Sequence, residues 1–116
     1  AVEAPAALAL NSCTAALHLA LLVSGVGPGD EVVTTPMTFA ASVNVIEHVR
    51  ATPVLVDVEP DTLNLDPERV ARAITPRTRA VIPVHFAGHP ADMAPIEEAT
   101  RARGVAVIED AAHAFY

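Results

Sequence analysis

The stretch Val105-Ala106-Val107-Ile108-Glu109-Asp110-Ala111-Ala112-His113, "VAVIEDAAH", decides how this chain is read. Its first four residues are apolar and mostly β-branched, the pattern of a short strand covered on both faces. They run directly into two carboxylates, two small residues and a histidine. A carboxylate at the end of a buried strand is costly unless a cation or hydrogen-bond donors meet it. Strand alternation sends Glu109 and Asp110 to opposite sides, so the two do not form an acid/base pair. Three readings of Asp110 stay open: counter-charge for a protonated ring nitrogen, metal ligand, or cap of a following helix. His113 can reach the same ligand, and Ala111 and Ala112 leave room for a flat group to lie close.

Working outward, four earlier apolar segments read as strands: residues 6–10, 31–35, 53–58 and 80–84, with 105–108 as the fifth. Those in the middle are valine-rich with little polar alternation, as in a sheet buried on both faces. Helical signals alternate with them. Residues 14–23 are apolar nearly all round and predict a buried helix. Residues 39–49 form the second. The third starts at "DPERVARAI", with Asp66 as N-cap and Pro67 at the first helical position. The fourth covers residues 92–103 and stops at Gly104. The "GVGPGD" run at 25–30 follows a helix and precedes a strand, the reverse of a phosphate loop, so it is a turn. The expected architecture is α/β: three layers, a mostly parallel sheet with helices on both faces. The chain stops after its fifth strand with no helix to cover it, which reads as a fragment of a larger domain, residues 1–116 without a C-terminal small domain.

Composition narrows the partners. A formal net charge of −7 argues against nucleic acid, which calls for a basic patch. No apolar run approaches the ~20 residues of a membrane span, and the opening "AVEAPAALAL" lacks the basic region of a signal peptide. The single cysteine, Cys13, excludes an internal disulfide and suits a reducing cytoplasm. All seven basic residues are arginines. Chemistry that needs a lysine amine therefore cannot be completed within these 116 residues.

Ligands of open α/β sheets bind beyond the carboxyl ends of the strands. "ALNSCTAALHLAL" places a polar turn and a helix start there, where free N–H groups and a partial positive charge can hold an anion with help from Ser12 and Thr14. Plain capping by Asn11, Ser12 or Thr14 explains the same residues, and Cys13 could be a thiolate activated by the helix end. "MTFAAS" puts Phe39 at a helix start, either against a flat ligand or in the core. His85 and His89, with Asp92, leave a metal site open. A metal-dependent enzyme built on Asp110, His113 and His85 is thus one alternative. His18 and His48 read as structural.

Taken together, "NSCTAALHLAL", "GVGPGDEVVTTPMTFAASVNVI", "ATPVLVDVEPDTLNLDPERVARAITPRTRAVIPVHFAGHPADM" and "VIEDAAHA" resemble the DegT/DnrJ/EryC1/StrS family of sugar aminotransferases over nearly the whole chain. The resemblance implies part of the large domain of the type I aminotransferase fold and pyridoxal 5'-phosphate (PLP) as cofactor. It makes Thr14 and Ala15 ligands of the PLP phosphate, with Cys13 in the same turn. Phe39 would stack on the pyridine ring and Ala112 would lie against its other face. Asp110 would pair with the protonated pyridine nitrogen, and His113 would sit near the ring hydroxyl. No metal is implied. The resemblance also implies a nucleotide-linked keto sugar and an amino-acid donor, glutamate, as substrates, and a homodimer in the cytoplasm. The family's Schiff-base lysine falls outside this chain, so the chain alone is expected to be inactive. The non-enzymatic alternative is a truncated relative that keeps the pocket as a PLP-binding or regulatory module.

Overall fold

The structure, a computed structural model, describes residues 4–114. Four parallel strands form one sheet in the order β2-β1-β3-β4: β1 Glu31–Thr34, β2 Thr52–Leu55, β3 Thr78–Val81 and β4 Ala106–Val107. Val33 faces Val54 on one side and Val81 on the other, and Val81 in turn faces Val107. Four helices complete the layers: α1 Cys13–Val23, α2 Ala41–His48, α3 Pro67–Ala73 and α4 Met93–Arg101.

The sheet sorts its side chains by alternation. Val32, Ala80 and Ile82 join Leu17 and Leu21 of α1 and Val45 and Ile46 of α2 in one buried cluster. Val33 and Val81 turn the other way, into a second cluster with Val70 of α3 and Ile96 of α4. Helices therefore cover both faces, which is the three-layer arrangement the sequence predicts.

Local signals explain the boundaries. Asp66 caps α3, its carboxylate accepting from the amides of Glu68 and Arg69, and Pro67 opens the helix. The 25–30 run is a turn in which Asp30 accepts from the Gly27 amide. Gly25 and Gly29 supply the positive φ angles there, 72° and 91°. Buried Glu31, at the start of β1, is met by the Thr75 hydroxyl and Arg77. The Thr75 hydrogen bond is the main reason its carboxyl is held below the usual range, against the effect of burial, with Arg77 adding to it.

Two expectations are corrected. Residues 6–10 form no strand; they are exposed and pair with nothing in this sheet. An extended segment becomes a strand only when a neighbour takes its amides and carbonyls. Helix α1 is not buried all round either. Leu17 and Leu21 face α2 and the sheet, whereas Leu19, Leu22 and Val23 are exposed.

The connections fix where a site can form. From β1 the chain moves outward through α2 to β2, then returns across β1 through α3 to β3 and continues to β4. The strand order thus reverses between β1 and β3, and the crevice beyond their carboxyl ends is where such sheets bind ligands.

Candidate functional site

Asp110 lies in that crevice, and its backbone is stitched to the segment after β3. Its amide donates to the Pro83 carbonyl at 2.8 Å and its carbonyl accepts from the His85 amide at 3.1 Å. The residue is 5% exposed. Oδ2 accepts from the Ser42 hydroxyl at 2.7 Å, while Oδ1 accepts from the Ala112 amide at 3.2 Å and the Cys13 thiol at 3.6 Å. All three donors are neutral. Among the described residues no arginine or histidine forms an ion pair with Asp110. Buried carboxylates are normally paired with a cation, so this one is short of a positive partner.

Around it stand the other candidates. Ser12 is the N-cap of α1, its hydroxyl accepting from the Ala15 amide at 3.1 Å. The first helical bond closes from Ala16 to the Ser12 carbonyl, leaving the amides of Cys13 and Thr14 ahead of the ladder. Cys13 reaches across to Asp110. Burial first, and then the carboxylate's charge and hydrogen bond, push its thiol pKa up. That counts against the alternative of a thiolate activated by the helix terminus. Phe39 is 75% exposed at the entry to α2, so it is not a core residue. His113 is exposed and meets the edge of Phe86, ring centroids 6.4 Å apart at 68°.

Glu109 points the other way, as alternation requires, and pairs with His85 Nε2 at 2.9 Å. His85 Nδ1 accepts from the buried Ala91 amide at 3.0 Å, so both ring nitrogens are engaged in holding the loop. His85, His89 and Asp92 do not converge on a metal, and no group of three metal-ligating side chains exists among the described residues. His18 and His48 meet between α1 and α2, their ring centroids 5.8 Å apart and their planes tilted at 60°. Asn64 clamps the same loop: Oδ1 accepts from the Phe86 amide, and Nδ2 donates to the carbonyls of His89 and Pro90.

Sequence reasoning missed Ser42, Thr38 and Asn64. The Thr38–Ser42 spacing of four across a helix start hints at a hydroxyl pair, but nothing local marks Asp110, 68 positions on, as the partner of Ser42.

The sequence profile of the DegT/DnrJ/EryC1/StrS aminotransferase family matches residues 1–116. This chain belongs to that family. Among its relatives, the spore coat polysaccharide biosynthesis protein SpsC of Bacillus subtilis (strain 168) is 54% identical over 115 residues, 99% of this chain and 30% of that protein. The crystal structure of 3-amino-5-hydroxybenzoic acid (AHBA) synthase superposes with a TM-score of 0.90 at 48% identity, covering 92% of this chain and 28% of that one. The structure of ntda from Bacillus subtilis with bound cofactor PMP gives 0.83 at 38% identity, covering 86% and 23%. This DegT/DnrJ/EryC1/StrS chain thus spans less than a third of each of these relatives, and its fold is part of the type I PLP-dependent aminotransferase fold.

Proposed function

We propose that this chain supplies one wall of the PLP site in the large domain of an aminotransferase, one that moves an amino group from glutamate to a nucleotide-linked keto sugar. The observation that carries the reading is Asp110, a buried carboxylate at the switch point with only neutral donors around it. A protonated pyridine nitrogen is the cation that fits. The rest of the wall suits the same flat, anionic molecule. Cys13 and Thr14 offer free amides at a helix start for its phosphate, and Ala15 is held beside them by Ser12. Phe39 presents an exposed ring for stacking, and Ala112, small and exposed, leaves space for the opposite face. His113, braced by Phe86, stands within the same turn as Asp110.

When bound, PLP supplies an electron sink for the carbanion of amino transfer. Asp110 would keep the ring nitrogen charged, Phe39 and Ala112 would flank the ring, and the α1 start would hold the phosphate end. The lysine this chemistry requires, the sugar-binding loops and a partner subunit lie outside these residues in our reading. The exposed leucines of α1 are consistent with such further contacts. We place the complete protein in the cytoplasm as a homodimer.

Asp110→Asn in the complete, PLP-loaded protein tests the assignment, because it keeps the shape and the Ser42 hydrogen bond but removes the charge. Removing one such electrostatic contact should slow transamination by about 10²–10³-fold with the far-UV circular dichroism unchanged. Near-normal turnover would sink the assignment.

A further inference from the structure

Two hydroxyl groups stand behind Asp110, and the PLP reading proposed above gives them no role. Ser42 is fully buried at the start of α2 and donates its proton to Asp110 Oδ2 at 2.7 Å. A hydroxyl has one proton, so the 2.7 Å contact between Ser42 and Thr38 must run from Thr38 Oγ1 to Ser42 Oγ. The chain of donors is therefore directional: Thr38 to Ser42 to Asp110. Hydrogen bonds polarised head to tail in a low-dielectric setting strengthen one another.

An ionised carboxylate offers about four acceptor positions, two on each oxygen. Three are taken: Oδ1 by the Cys13 thiol and the Ala112 amide, and one of the Oδ2 positions by Ser42. The fourth position is on Oδ2, beside the serine. Without Ser42 nothing among the described residues holds that oxygen directly, and the Ala112 amide and the weaker Cys13 thiol on Oδ1 are left to restrain rotation about the last bond. The same relay reaches back to the turn that presents Phe39, since Thr38 precedes it and the Ser42 amide donates to the Phe39 carbonyl at 3.1 Å.

We propose that Ser42 and Thr38 are positioning residues, which aim Oδ2 of Asp110 at the pyridine nitrogen and tie that carboxylate to the turn bearing Phe39. This rests on the PLP reading of Asp110. It makes the hydroxyl of Ser42, rather than its size, the property that matters.

The test uses the complete protein loaded with PLP labelled with ¹⁵N in the ring. Four variants are compared: Ser42→Ala, Ser42→Thr, Thr38→Val and Asp110→Asn. The readouts are the ring-nitrogen chemical shift and the dissociation constant for PLP added to the cofactor-free protein. Ser42→Ala should weaken PLP about tenfold, the size of losing one hydrogen bond to a charged group. It should also move the ring nitrogen toward its neutral shift. Ser42→Thr should restore both, and Thr38→Val, which keeps size and fold but removes the upstream donor, should weaken PLP about threefold. If Asp110→Asn leaves the ring-nitrogen shift unchanged, the reading of Asp110 itself is wrong. If Asp110→Asn moves it but Ser42→Ala and Thr38→Val match the unaltered protein, the relay is refuted while that reading stands. Equal losses in Ser42→Ala and Ser42→Thr would also refute the relay, by showing that packing alone is at work.

Discussion

Asn64 makes a sharp test of how the site is held. The residue is 2% exposed, and its side chain bridges three backbone groups of the loop after β3: the Phe86 amide at 2.9 Å and the carbonyls of His89 and Pro90, each at 3.0 Å. In Asn64→Ala the two carbonyls cost little, because His89 and Pro90 are exposed and water can replace the lost donor. The half-buried Phe86 amide is different, since an unpaired buried donor costs about 1–3 kcal/mol. The expected loss is about 2 kcal/mol, confined to this loop. It should appear as about 30-fold faster hydrogen exchange at the Phe86 amide. The Ile82 amide, which donates to Val33 inside the sheet at 2.8 Å, should be unaffected. Asn64→Asp separates shape from chemistry. It keeps an acceptor for Phe86 but sets a carboxylate oxygen against two carbonyls about 3 Å away by the Asn64 distances. It should loosen the loop at least as much as alanine does. Phe86 exchange within threefold of the unaltered protein in Asn64→Ala, or an equal rise at Ile82, would refute the clamp.

Two further outcomes follow from side chains whose titration is displaced. The carboxyl of Glu31 sits below its ordinary value of about 4.3, chiefly through Thr75. A lowered carboxyl stabilises the fold above its unfolded pKa and loses that contribution as pH falls toward the folded value. Acid unfolding below about pH 4.3 should therefore be shallower in Thr75→Val, and identical pH profiles would show that the hydrogen bond is immaterial. Cys13 is displaced upward by burial and by Asp110, so alkylation by iodoacetamide at pH 8 should run slower than for a free cysteine. Asp110→Asn should speed it, and an unchanged rate would mean that the thiol does not feel the carboxylate.

The sequence carried the layers and the face of the site more fully than its interior. Asp66 and Pro67 announced α3 because capping is local chemistry, and the opposed directions of Glu109 and Asp110 follow from strand geometry alone. Residues 6–10 misled because strand character depends on a neighbour, which no pattern within the segment reveals. The all-apolar α1 likewise could not say which of its sides would find a described partner. The thiolate alternative for Cys13 falls for a related reason. The helix start was legible, but the carboxylate that overrides it lies 97 positions away. Ser42 and Asn64 look like ordinary helix and loop residues until the fold brings their partners, 68 and 22 positions on, within reach.

That long separation has a consequence for the order of assembly. Joining Cys13 to Asp110 closes a loop of 97 positions, which costs about 4 kcal/mol of chain entropy. The strand that delivers Asp110, β4, is two residues long and, among the described residues, pairs with β3 alone. It has little to contribute until β1, β2 and β3 have aligned. The helix start at Cys13 and the turn at Phe39 are therefore made well before the carboxylate of Asp110 that meets them, and the crevice gains its charge only when β4 docks.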